Sequence, residues 1–356
     1  MDALIDDILT IIGNYRIEEA GFFFRPIDRD RVTRWINQFE ADDREFILGE
    51  FLHLLPKSYL SRENTLRIFG GEMEIYCRDF GYENVTDLLD ECRFLDCQQP
   101  LKSQKDMLAI MNATLLEKYG YTLNDCGQGD VKYWIYLDDV LASGGNFRGD
   151  IEAEIAAYGP EAFRDSGIKI IGSFIILHNW GGRNVRFGLT QKLGFDMEKR
   201  IRYYCVSETM NYPVINYYNP DPLLDVVYPK QSQAGENFLQ FIEGAFDRDY
   251  PLKNFKYAFR PEGHPKTETY YSSPEARDRY ENILLTKGIE IINRVETLTA
   301  PSVRPLGFTP PSFQTLGTGT HFFTWRNISN TCPLVFWWGS NGWFPLFEVK
   351  NRGAHW

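Results

Sequence analysis

Strand and helix taking turns through the middle of the chain predict an α/β fold, a parallel sheet with helices on its faces, between an all-helical N-terminal segment and an aromatic-rich C-terminal extension. Three observations carry this: helical apolar spacing up to about residue 92, alternation of strand-length and helix-length apolar patterns from 93 to about 208, and crowding of tryptophan towards the C-terminus. The expected divisions are 1–92, 93–225 and 226–356.

In the first segment Leu4, Ile5, Ile8, Leu9 and Ile12, and again Phe46, Ile47, Phe51 and Leu54, recur at spacings of three and four, one face of a helix. The core then reads as strand 93–97, helix 104–118, strand 133–137, helix 147–158, strand 168–177, helix 183–193 and strand 201–206. Pro213, Pro220, Pro222 and Pro229 break that rhythm, and a helix is expected over 281–298. Trp325, Trp337, Trp338, Trp343 and Trp356 are five of the chain's eight tryptophans. With Arg326 among them, this run could serve recognition through stacking and phosphate binding, or form the core of a small domain.

Hydrophobic residues at 43% and charged residues at 24% describe a globular chain of 356 residues. A net charge of -11 argues against direct, unaided nucleic-acid binding, which needs lysine and arginine to displace counterions. No apolar run approaches the ~18 residues of a membrane helix. Six cysteines without a dense framework, and an N-terminus without a basic and then apolar leader, lead to the expectation of a reduced cytoplasmic protein.

The chemistry concentrates in 136–146, YLDDVLASGGN. An apolar strand runs directly into Asp138 and Asp139, and carboxylates at such a tip need a solvated cleft, a cation or a hydroxyl-rich ligand. Ala142, Ser143, Gly144, Gly145 and Asn146 follow. Small residues let backbone N–H groups approach an anion, and the next helix turns its positive end to the same place. Acceptors for sugar hydroxyls beside donors for a phosphate meet the requirement for holding a ribose 5-phosphate. Upstream, the strand 93–97 leads to Lys102 and Ser103. Ser103 is placed to cap the following helix with Asp106 three residues on, leaving Lys102 beside a second positive helix end.

This stretch resembles the signature of type I phosphoribosyltransferases, in which hydrophobic residues precede an acidic pair, aliphatics and a glycine-containing turn. The resemblance implies a type I phosphoribosyltransferase-like core in which Asp138 and Asp139 bind the ribose 2- and 3-hydroxyls and 142–146 cradle the 5-phosphate. Lys102 and Ser103 would hold the pyrophosphate, and Mg²⁺ would accompany a phosphoribosyl pyrophosphate or nucleotide ligand. Asn146 departs from the pattern, which usually has Thr or Ser there.

With WINQF at 35–39, WRNISNTCPLVFWW and GWFPLF, nearly the whole chain is similar to the phosphoribosyltransferase-like effectors of bacterial conflict systems, some of them retron-associated. This implies an anti-phage effector, toxic to the host when a partner releases it, that breaks or makes a bond at ribose C1. The alternative is a non-catalytic nucleotide-sensing or assembly subunit docked on a partner such as a retron reverse transcriptase with its RNA–DNA product. Other chemistries find less support. Cys92 and Cys97 have no second pair at zinc-ligand spacing, so no protein-held metal is expected. His178 at a strand end reads as a hydrogen-bonded structural residue before a ligand contact, and Ser143 as part of the phosphate turn before a nucleophile.

Overall fold

The computed structural model describes residues 1–21, 24–100, 102–253 and 255–349; Trp356 lies outside them. In chain order the described elements are α1 Asp2–Ile12, α2 Arg29–Ile36, α3 Arg44–Ser58, β1 Tyr59–Leu60, α4 Arg62–Phe80, α5 Val85–Asp90, β2 Cys92–Phe94, α6 Ser103–Tyr119, β3 Tyr133–Leu141, α7 Gly145–Tyr158, α8 Pro160–Ser166, β4 Lys169–His178, α9 Asn179–Leu193 and β5 Ile201–Thr209. They continue with α10 Gln233–Ala245, α11 Pro274–Asn293, β6 Phe323–Thr324, β7 Asn327–Ile328 and α12 Leu334–Trp337. Among the described residues no helix is long and apolar enough to cross a membrane.

The chain forms two compact units, 63–209 and 1–62 together with 210–356. These boundaries differ from the expected 1–92, 93–225 and 226–356. The reason is mutual burial. The C-terminal tryptophans have no core of their own, and they bury themselves against the first three helices. The Trp35 indole donates to the Val335 carbonyl (2.8 Å), and its ring stacks on Phe336 at 5.7 Å. Trp343 donates to the same carbonyl (3.0 Å), and Trp337 to that of Cys332 (2.9 Å). Trp35, Trp337 and Trp343 thus each have a carbonyl acceptor for the indole N–H, as an apolar interior favours. The small sheet of this unit has the order β1-β6-β7, with β1 parallel and β7 antiparallel to β6. The leading segment therefore contains a short strand as well as helices, and Arg326 is buried within this unit.

The other unit carries the predicted α/β core, a four-stranded sheet in the order β2-β3-β4-β5 with every pair parallel. Trp134, Tyr136, Ile170 and Phe174 turn to a core shared with Phe147, Ile151 and Ile155 of α7 and Val185 and Leu189 of α9. The opposite face receives α4. Phe80 stacks on Tyr133 at 4.5 Å, the Tyr76 and Tyr204 rings lie 4.4 Å apart, and Ser173 hydrogen-bonds the buried Glu72 carboxyl. Apolar side chains on both faces of β3 and β4 are what a parallel strand covered on both sides demands.

Strand ends shift in all four strands, by one residue at each end of β4 and by three at the end of β5. β2 is shorter than expected. β3 runs on through the acidic pair to Leu141, because Val140 and Leu141 find pairing partners in Ile176 and Leu177 of the long apolar β4.

Candidate phosphosugar site

β3 and the start of α7 position the acidic pair and the turn. Asp138 is only 7% exposed, and its carboxylate is filled by donors. Oδ1 accepts the Ser103 hydroxyl at 2.6 Å and the Asp139 amide at 2.9 Å, and Oδ2 accepts the Gln98 amide at 2.9 Å. Burial pushes the Asp138 carboxyl above its ordinary range, and these donors pull against that shift. Asp139 is half-buried.

The Gln98 amide also donates to the Tyr136 hydroxyl at 2.7 Å, which in turn donates to Asp150 on α7 at 2.7 Å. The loop entering α6, the strand and α7 are thereby joined through one polar chain: Ser103, Asp138, Gln98, Tyr136, Asp150. Gln104, fully buried, holds the same loop from below, its side-chain oxygen accepting the amides of Cys97 and Gln98 at 2.9 Å each.

Ser103 therefore does not cap α6. Lys102 occupies the cap position without a side-chain cap bond, and the Ser103 hydroxyl is spent on Asp138 instead. A charge-assisted bond to a buried carboxylate is stronger than a neutral cap, which explains the choice. Lys102 is exposed beside it, and its ammonium makes no ion pair among the described residues.

The turn behaves as its composition predicts. Gly144 is the N-cap of α7 at φ +79°, a backbone state that favours glycine, and no side chain caps the helix. The Gly145 amide leans on the Ser143 hydroxyl at 3.4 Å. Ser143, Gly145 and Asn146 are exposed, Ala142 is half-buried, and the first turn of α7 contains no acidic residue to repel an anion. The turn also rests on α9. A Cβ on Gly181 would fall 1.9 Å from the Ala142 carbonyl oxygen, so only glycine permits that approach.

His178 is wholly buried at the N-cap of α9, and burial drives its imidazole down to about 4, making it neutral at physiological pH. Burial also pushes the Cys97 thiol up to about 12, so it is no thiolate nucleophile. The structure thus brings Ser103 onto Asp138 and sets the turn two residues beyond the pair, after Leu141. Sequence reading missed Gln98, Gln104, Tyr136, Asp150 and Gly181. Of these only the Gly181-Gly182 doublet at a helix start carried a usable signal.

An all-parallel sheet whose acidic strand end runs into a glycine turn and a helix N-terminus is consistent with the α/β fold of phosphoribosyltransferase-like proteins. The model of the PRTase-CE family matches residues 32–349. The chain belongs to that phosphoribosyltransferase-like family. No curated protein and no solved structure matches it.

Proposed function

We propose that the protein binds a phosphoribosyl ligand, phosphoribosyl pyrophosphate or a nucleotide, with Mg²⁺, and acts at ribose C1 as an effector of bacterial anti-phage defence. The observation that carries this reading is the juxtaposition of the acidic pair with the uncapped, exposed α7 N-terminus. Asp139 accepts from the ribose hydroxyls, while Asp138, held by Ser103, Gln98 and the Asp139 amide, fixes that geometry and closes the entry loop over the strand. The amides of 143–146 take the 5-phosphate, and Lys102 takes the pyrophosphate. Catalysis then consists of positioning and charge stabilisation: the C1–O bond breaks with its electron pair leaving on pyrophosphate, and an acceptor lone pair forms the new bond. The oxygen donors suit Mg²⁺, which keeps to phosphates and a carboxylate or two; Asp139 with the ligand's own phosphates would hold it, and it would neutralise the leaving group.

Asn146 and the filled coordination of Asp138 favour a second reading, in which the pocket senses a nucleotide without turnover and its occupancy alters docking onto a partner such as a retron reverse transcriptase with its RNA–DNA product. Calorimetric titration with phosphoribosyl pyrophosphate and nucleoside phosphates in Mg²⁺, repeated on Asp139→Asn, tests both. Saturable binding lost in the variant supports the site, and new products separate enzyme from sensor. Absence of binding at millimolar ligand would remove the phosphosugar pocket.

A further inference from the structure

The acidic pair occupies one end of the sheet; the opposite end carries a different concentration of charge. A cleft of about 260 Å³ is lined by Asp79, Phe80, Tyr133, Lys169, Ile171, Lys199, Arg200 and Arg202. Tyr133 and Lys169 open β3 and β4 and pair with each other, while Ile171 pairs with Arg202 near the start of β5. Four cations thus surround one cleft in a chain whose net charge is -11, with Asp79 the single carboxylate in the lining.

The cations are held to different degrees. Arg202 reaches Asp79 at 2.5 Å, and Arg200 donates to the carbonyls of Ile168 (2.9 Å) and Arg164, so both guanidinium groups are anchored. Lys199 touches Asp196 only at 3.8 Å and is 88% exposed. The Lys169 ammonium makes no hydrogen bond or ion pair among the described residues, although Lys169 stands at the cleft edge. Asp79, which Arg78 shares at 3.2 Å, and the more distant Asp196 do not neutralise this set, and like charges gathered in a concave site raise the local concentration of anions.

The aromatic floor narrows the ligand class. Phe80 stacks on Tyr133 at 4.5 Å, and the Arg202 guanidinium lies over its ring at 5.5 Å. That ring is engaged already and serves as support, so recognition falls to charge. The volume lies below the roughly 300–1,000 Å³ of drug-sized ligand pockets. Guanidinium and ammonium groups together suit phosphate oxygens, the first as planar forks and the second as point charges.

We propose that this cleft is a second site, separate from the phosphosugar turn, for a compact polyphosphate anion: free diphosphate, or the diphosphate portion of a nucleotide. It stands on residues that the proposed function does not use, so the two readings fail independently.

The test is calorimetric titration of the full chain with inorganic pyrophosphate, ADP and AMP in EDTA at low salt. Lys102→Ala removes the pyrophosphate contact proposed at the other end of the sheet. In that background pyrophosphate still binds saturably, and adding Lys169→Glu and Lys199→Glu weakens it at least tenfold while circular dichroism stays unchanged. Both lysines are exposed, so the fold tolerates the reversal. Affinity for ADP equal to that for pyrophosphate assigns the diphosphate alone as the recognised group, whereas tighter ADP binding assigns a nucleotide. Pyrophosphate binding that disappears in Lys102→Ala, or that is unaffected by Lys169→Glu with Lys199→Glu, overturns the proposal, as does no saturable binding at millimolar concentration.

Discussion

Asp138 accepts hydrogen bonds from Ser103, Gln98 and the Asp139 amide, whereas Asp139 is half-buried beside it, so two adjacent carboxylates take different tasks. Asp138→Ala leaves the Ser103 hydroxyl and the Gln98 amide without their acceptor. It should cost about 1–3 kcal/mol of stability, read as a shift in the urea midpoint at constant m-value. Asp139→Asn should instead leave the midpoint nearly where it is while weakening a phosphoribosyl ligand at least tenfold by calorimetry. Equal loss of stability in both variants would refute this division of labour. The roles could not be read from the dipeptide DD, because they depend on which carboxylate the loop 98–103 closes upon.

At the scale of elements, α9 supports the phosphate turn by close backbone approach. Gly181→Ala places a methyl where the Ala142 carbonyl stands, a 1.9 Å contact with backbone that cannot swing aside. The turn or the helix must shift, at an expected cost of about 1–3 kcal/mol, with ligand affinity falling in parallel. Gly182→Ala is the matched control: its nearest neighbour is the Tyr203 ring at 3.1 Å, and a small adjustment of that side chain relieves it. Thermal unfolding should therefore show a clear loss for the first and a minor one for the second. The glycine turn in β3–α7 was legible from its own sequence. Its support by Gly181 was not, since nothing in a linear pattern says that two segments about forty residues apart will touch.

At the scale of the whole molecule, each compact unit buries one neutral histidine among the described residues. Burial takes His178 down to about 4 and His321 down to about 3. An unfolded imidazole titrates near ~6.5, so below that pH the unfolded chain gains protons that the folded chain refuses. Their contribution to stability is full above ~6.5 and is lost as pH falls, by roughly 3 kcal/mol for each histidine at pH 4. Asp138 and Glu72, whose carboxyls burial holds above their usual range, act with the opposite sign, losing stability as pH rises through that range. His321→Gln isolates the imidazole: urea midpoints measured from pH 7 to pH 4 should fall less steeply than in the unaltered protein. An unchanged slope would mean that His321 takes up its proton in the folded state.

The sequence by itself determined the parallel α/β core, the order of its strands and helices, and the turn that follows the acidic pair, because each rests on local period and local backbone chemistry. The division into units, the filling of Asp138 by Ser103 and Gln98, and the cationic cleft at the far end of the sheet were decided only in three dimensions. All three depend on contacts between segments distant in the chain: tryptophans that need a surface to bury against, a buried carboxylate that must find donors, and cations from separate elements brought together by parallel pairing.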